Sequence, residues 1–187
     1  MKKLLGFSIF LVFVLIASLT AEAKVTLPAI FSDNMVLQQN TQVNVWGKAA
    51  PGEKVTVKAS WLDKAVTAKA AANGKWTVKL KTPKATTNQS VTVSGENEIT
   101  INNVLIGEVW LCTGQSNMEF PVSRHPDVKW NTGMLNEAEE LKDADYPEIR
   151  LFHVKHQLAH EGELDDCEGE WLVCNPKNLY DFSAVGF

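Results

Sequence analysis

Gly114-Gln115-Ser116-Asn117 is the stretch of this chain whose residue types and spacing fit chemistry. It follows a nearly continuous apolar run, Val104-Leu105-Ile106-Gly107-Glu108-Val109-Trp110-Leu111-Cys112. Such a run reads as a strand buried on both faces, as in a parallel α/β sheet. A strand that stops near glycine and leads directly into Ser-Asn is a candidate nucleophile turn. Glycine lets the backbone bend tightly, and the carboxyl end of a strand is where α/β sheets place their sites. A helical turn beginning at Ser116 would aim that residue's own N–H at developing negative charge. Ser116 would then supply both a nucleophile and one oxyanion donor. The competing reading is a plain N-cap serine, since Gly-x-Ser is a short and common pattern.

The neighbouring chemistry is sparser. The second glycine of the G-x-S-x-G elbow is missing, so that hydrolase pattern does not fit. Cys112, Cys167 and Cys174 make an odd count, which leaves at least one thiol unpaired within the chain. Cys167 and Cys174 flank a short segment and are able to pair, whereas Cys112 reads as a small buried hydrophobe. No Cys/His spacing resembles a zinc site. His156 and His160 are spaced i, i+4, but Ile149 to Val154 reads as a strand with a polar continuation. Glu161, Glu163, Asp165, Asp166 and Glu168 lack the alternating oxygen ligands and central glycine of a calcium loop, and read as a solvated loop.

Two kinds of element would have to position this serine. The chain opens with Met1-Lys2-Lys3, then runs without a charge from Leu4 to Leu19 and reaches Ala21-Glu22-Ala23. That is the order of a secretory signal with a small-residue cleavage site. Residues 1–23 are therefore expected to be a signal peptide and the protein to be exported: secreted, periplasmic or luminal. The alternative is an uncleaved anchor, since the apolar stretch approaches the roughly 20 residues that span a bilayer. After cleavage no membrane association is expected. The chain of 187 residues has a formal net charge of −4, which argues against nucleic acid as the main partner. Its 45% hydrophobic and 21% charged residues are those of an ordinary folded protein.

Residues 24–105 read as a small all-β module. Gln42–Trp46, Lys54–Lys58, Lys75–Leu80, Ser90–Ser94 and Glu98–Ile101 alternate polar and apolar residues, the period of half-buried strands. Asn73-Gly74, between Ala65–Ala72 and Lys75–Leu80, is a hairpin-turn dipeptide. Short strands with frequent turn signals suggest a sandwich. Trp46, Trp61 and Trp76 are either core residues or a sugar-stacking platform, and the core reading is preferred for tryptophans on half-buried strands. Asn88-Gln89-Ser90 is an N-glycosylation sequon, which matters only where the source has the machinery. Further on, Met134, Leu135, Ala138 and Leu141 fit one helical stripe. Asn131 or Thr132 is positioned to cap it.

Gly107 to Met118 closely resembles the first sequence block of the sialate O-acetylesterases, which belong to the SGNH/GDSL hydrolase superfamily. Leu27-Pro28-Ala29-Ile30-Phe31-Ser32-Asp33-Asn34-Met35-Val36-Leu37-Gln38, with Val45-Trp46-Gly47 and Pro51-Gly52-Glu53, is similar to the opening β-domain of the same family. Tyr146-Pro147-Glu148-Ile149-Arg150-Leu151-Phe152 is a third block. Trp171 to Pro176, with Phe182-Ser183-Ala184-Val185-Gly186, is a fourth. The four stand in family order.

The resemblance implies a serine esterase that removes O-acetyl groups from sialic acids or related acetylated sugars, with Ser116 as nucleophile and no metal or cofactor. It implies a β-sandwich module followed by an incomplete α/β/α domain of SGNH, flavodoxin-like type over residues 106–187. The superfamily's base is a His preceded by Asp in D-x-x-H. None of His125, His153, His156 or His160 has Asp three residues earlier, and no G-x-N-D occurs. The apolar end, Asp181 to Phe187, corresponds to the start of a buried helix in that family. The chain is thus expected to be an N-terminal portion with little activity by itself. Two alternatives stay open: a non-catalytic secreted glycan-binding β-module, and an SGNH esterase acting on acetylated xylan.

Overall fold

The computed structural model describes residues 24–127, 132–160 and 162–187. The expected signal segment 1–23 lies outside the described residues, as do the candidate cap Asn131 and the acidic Glu161. Among the described residues no helix is long and apolar enough to cross a membrane.

The alternating runs all become strands. The N-terminal part contains β1 (Val36–Gln38), β2 (Gln42–Lys48), β3 (Lys54–Ala59), β4 (Val66–Lys69), β5 (Lys75–Lys81), β6 (Thr86–Ser94) and β7 (Glu98–Gly107). One sheet has the order β1-β7-β6-β3-β4, and a separate two-stranded sheet pairs β2 with β5. Their inward residues meet in one core. Val55, Val57, Val91, Val93, Ile101, Val104 and Ile106 come from the larger sheet, and Val45, Trp76, Val78 and Leu80 from the smaller. Period two explains the division, because every second side chain of a strand faces the same way. Trp76 is core as expected, 3% exposed, while Trp46 is 40% exposed and faces outward.

Asn73-Gly74 forms the expected tight turn, but β4 and β5 do not continue from it as a hairpin ladder. β4 pairs with β3, and β5 pairs with β2. The turn instead passes the chain from one sheet to the other. Gly74 has φ +76°, and its carbonyl accepts from Ala49 N at 2.9 Å. The turn itself is closed by Ala71 N donating to Lys75 O and Gly74 N to Ala71 O, both at 2.9 Å, but the ladder goes no further: Ala70 N donates to Glu53 O at 2.8 Å, and Gly52 N to Ala70 O at 2.9 Å.

The apolar run from Val104 is a second departure. Its first half is the buried end of β7, flanked by β6 on one side and by β1, in parallel, on the other. The strand stops at Gly107. Glu108 turns aside to accept from Gln38 Nε2 at 2.9 Å and Gln39 Nε2 at 2.7 Å, and Val109 N donates to Gln38 Oε1. Trp110 and Leu111 are then 84% and 88% exposed. Cys112 is likewise exposed rather than buried, with Sγ 3.8 Å from the Gly186 carbonyl.

The C-terminal part adds α1 (Glu137–Asp143), β8 (Tyr146–Phe152), β9 (Trp171–Cys174) and α2 (Pro176–Leu179). β8 and β9 pair antiparallel as a separate two-stranded sheet. A small second core holds Val122, Ala144, Leu151, Cys174 and Leu179. Met134 and Leu141 of the expected helical stripe pack against it, but Leu135 and Ala138 are exposed. Thr132 does not cap the helix; its hydroxyl accepts from His125 N at 2.7 Å. The α2 cap is orthodox: the Asn175 side chain accepts from Asn178 N, with Pro176 at the first helical position. Residues 181–187 form a turn rather than a helix, tied by a bridge between Ser183 and Pro121.

The two parts are stitched together. Trp171 Nε1 donates to Ile30 O at 2.8 Å, and Asp166 Oδ1 accepts from Ala29 N at 3.0 Å. Asp165 lies 3.3 Å from Lys48 Nζ and 2.6 Å from Lys75 Nζ. The segment after β8 is thereby held across one end of the β2–β5 sheet.

Candidate active site

Ser116 begins a short 3-10 turn, Ser116–Glu119, closed by Met118 N donating to Gln115 O at 2.7 Å. The helical turn expected at Ser116 is therefore present in its tighter form. The preceding Gln115 has φ −134° and makes no side-chain cap. Gly114 is required for space, not for a left-handed backbone. A Cβ there would sit 2.8 Å from Met118 Cγ, which curls back over the turn.

Ser116 is exposed. Its hydroxyl and its backbone N–H have no hydrogen-bond partner among the described residues. As an N-cap its hydroxyl would accept from the turn's own N–H groups, and it does not. A hydroxyl beside an N–H at the head of a turn offers a nucleophile and one oxyanion donor, while activation would still require a base.

The chain after the turn is anchored firmly. Ala184 N donates to Phe120 O at 2.7 Å, Val122 N to Phe182 O at 2.9 Å and Ser123 N to Tyr180 O at 3.1 Å. Residues 120–123 thus run beside 180–184, and Val122 enters the second core.

All four histidines lie among the described residues. His125 Nε2 is 2.9 Å from Asp181 Oδ1, with its ring edge-on to Tyr180. His156 Nε2 is 3.2 Å from Glu119 Oε1, at the far end of the Ser116 turn. His153 lies edge-on to Phe182, and His160 is exposed. None of these contacts reaches the Ser116 hydroxyl. Residues 153–159 form no helix, so His156 and His160 do not share a helical face. No group of three or more metal-ligating side chains occurs among the described residues.

Sequence reasoning missed both histidine–carboxylate pairs. It sought an aspartate three residues before each histidine, whereas these partners are distant in sequence and meet only through the fold. It also placed Trp46 with the core. The available signal was parity: Trp46 shares its strand face with the polar Gln42, Asn44 and Lys48.

The cysteines are all unpaired thiols. Burial pushes the Cys174 thiol up, and burial together with nearby Asp166 does the same for Cys167. Neither is tuned as a nucleophile, which requires the opposite shift. Glu108 is held below the usual carboxylate range by the side chains of Gln38 and Gln39. Burial lowers the Arg150 guanidinium against the opposing pull of Glu148.

No family model matches the chain. Its sequence is 31% identical over 150 residues to the sialate O-acetylesterase of Mus musculus, covering 74% of this chain and 26% of that protein. It is 31% identical over 165 residues to the sialate O-acetylesterase of Rattus norvegicus, covering 81% of this chain and 29% of that protein. Among solved structures, a carbohydrate acetylesterase from Xanthomonas citri superposes with a TM-score of 0.75 at 31% identity. That match covers 87% of this chain and 35% of the other. The chain therefore spans between a quarter and a third of the length of the curated relatives it matches. The motifs around Ser116, the mostly-sheet fold and these relatives agree, and the chain belongs to the sialate O-acetylesterase family.

Proposed function

We propose that this chain carries the nucleophilic part of an exported carbohydrate acetylesterase. Its substrates would be O-acetylated sialic acids or related acetylated sugars. The observation that supports this reading most is Ser116, exposed at the head of its turn with hydroxyl and N–H both unengaged. In the reaction, Ser116 Oγ attacks the acetyl carbonyl while the Ser116 N–H stabilises the oxyanion. The serine proton passes through a base to the sugar oxygen, which leaves as the free hydroxyl as its bond to the acetyl carbon breaks, and water then cleaves the acetyl-enzyme to acetate and restores the Ser116 hydroxyl. No metal or cofactor takes part. Asn117 and the 3-10 turn position the serine without entering the chemistry.

A serine hydroxyl is a weak nucleophile until a base takes its proton. His125 and His156 are engaged by carboxylates away from Ser116, and neither His153 nor His160 contacts it. We therefore assign the activity to the longer assembly typified by the relatives. In that assembly residues 24–105 would be a β-sandwich module and residues 106–187 the start of an SGNH-type α/β/α domain. Residues 1–23 would direct export and be cleaved after Ala23.

The experiment is a graft. Residues 24–187 replace the matching part of the Xanthomonas citri acetylesterase, and hydrolysis of acetylated sialic acid and acetylated xylan is followed. Turnover that falls by about 1,000-fold or more on Ser116→Ala is expected. An active graft unaffected by that substitution overturns the assignment. The ratio of the two substrates decides between the sialic-acid and plant-polysaccharide readings.

A further inference from the structure

The outward face of the β2–β5 sheet differs in character from the rest of this acidic chain. β2 presents Gln42, Asn44, Trp46 and Lys48, and β5 presents Lys75, Thr77, Lys79 and Lys81, all exposed. The register sets Lys48 opposite Lys75, Trp46 opposite Thr77, Asn44 opposite Lys79 and Gln42 opposite Lys81. A single large aromatic therefore lies within a field of four lysines. Same-face neighbours along a strand are about 7 Å apart, and directly opposite residues about 5 Å.

The two ends of this face are not equivalent. Lys48 and Lys75 are both engaged by Asp165. Among the described residues no ion pair engages Lys79 or Lys81. Trp46 stands between the neutralised end and the free one. Its ring meets Phe31 edge-on, with centroids 4.6 Å apart, which fixes its orientation. On the Asp165 side it also lines a groove of about 470 Å³ walled by Ile30, Leu164 and the carboxylates of Glu163, Asp165 and Asp166, so a ligand's own carboxylate would have to point the other way, toward Lys79.

A fixed, half-exposed tryptophan beside hydrogen-bonding groups suits a ligand that is apolar on one face and rich in hydroxyls at its edge. Lys79, diagonal to Trp46 across the ladder, and Lys81 one same-face step beyond it have no ion-pair partner among the described residues and suit an anion. A carboxylate-bearing sugar satisfies both. Nucleic acid fits less well, because successive bases need several stacking platforms and this face holds only one exposed aromatic. We infer that the outer face of the β2–β5 sheet is a binding site for an acidic saccharide, with Trp46 as stacking platform and Lys79 and Lys81 as carboxylate partners. The site is separate from Ser116 and would hold a glycan chain without cleaving it. The inference rests on this face alone and does not require the esterase reading.

The test is calorimetric titration of the 24–187 chain with α2,8-linked polysialic acid, with neutral dextran and duplex DNA titrated in parallel. Polysialic acid is expected to bind, and dextran and DNA are expected not to. Trp46→Ala should weaken binding at least tenfold. The double variant Lys79→Ala/Lys81→Ala should weaken it about fivefold and flatten its salt dependence. The lysines are exposed, so that variant keeps the fold if Trp46→Ala loses it. Ser116→Ala should bind as the parent does, which separates failure here from failure of the esterase assignment. Absence of polysialic acid binding, binding unchanged in the lysine double variant, or equal binding of DNA would each overturn the inference.

Discussion

The β-module and the region after it use their apolar residues differently. Among the described residues, eighteen buried hydrophobic residues form the first core and five the second. The first is enclosed by two sheets whose strands are joined by long ladders, β6 against β7 above all. The second lies under two short helices and a two-stranded sheet, a size that is marginal alone. The difference follows from where the apolar residues fall in sequence. In the module they recur with period two inside strands that have partners. After Gly107 they come in runs, and Val109, Trp110 and Leu111 are left 44%, 84% and 88% exposed. One region is a finished scaffold, and the other presents a serine on a lightly buried frame.

The contrast is sharpest in core truncation. Leu80, fully buried in the first core, should destabilise the module by about 2–5 kcal/mol when changed to Ala. Leu179, equally buried in the second core, should instead release residues 120–123 and 176–187 locally while the module's melting transition stays in place. Thermal melts with residue-resolved amide exchange check both. A single cooperative loss of both regions in Leu179→Ala would erase the distinction.

Gly47→Ala comes next. A Cβ there would lie 2.2 Å from the Thr26 carbonyl and 2.9 Å from Trp76 Cζ2. The backbone carbonyl cannot swing aside while Thr26 and Lys48 remain bridged. A loss of about 3 kcal/mol is expected, near the upper end for overpacking, measurable by urea unfolding. A change below about 0.5 kcal/mol would show that the edge of the module yields more than its core.

The smallest effect concerns the strap between the regions. Lys75 and then Lys48 hold the Asp165 carboxylate below its usual range. Its folded-state value is lowered, so the clamp is complete above the ordinary carboxylate pKa and is lost as pH falls through the lowered one. Acidification should loosen residues 163–167 while the strands remain protected from exchange. Asp165→Asn should remove that step, and a step that survives the substitution would assign it to another group.

How legible all this was depends on the range of each interaction. Strands β2, β3, β5, β6 and β7 were readable because alternation is local and both sheets have a solvent face. The sheet switch at Asn73-Gly74 was not, since the dipeptide suits a hairpin equally well and the decision rests on Ala49, Glu53 and the strands they serve. The run Val109 to Cys112 read as a buried strand because composition records what could be covered, not what is adjacent. Ser116 was readable as a candidate, and the structure adds its unengaged hydroxyl and N–H. The partners of His125 and His156 were hidden because they are 56 and 37 positions away in the numbering.

On the proposed reading, this chain presents a nucleophile without activating it. Hydrolysis of 4-nitrophenyl acetate by residues 24–187, beside the Ser116→Ala variant, tests it most directly. Both proteins are expected to match the buffer rate. Substantial turnover by the parent chain that disappears in Ser116→Ala would contradict the account and make one of its own histidines the base.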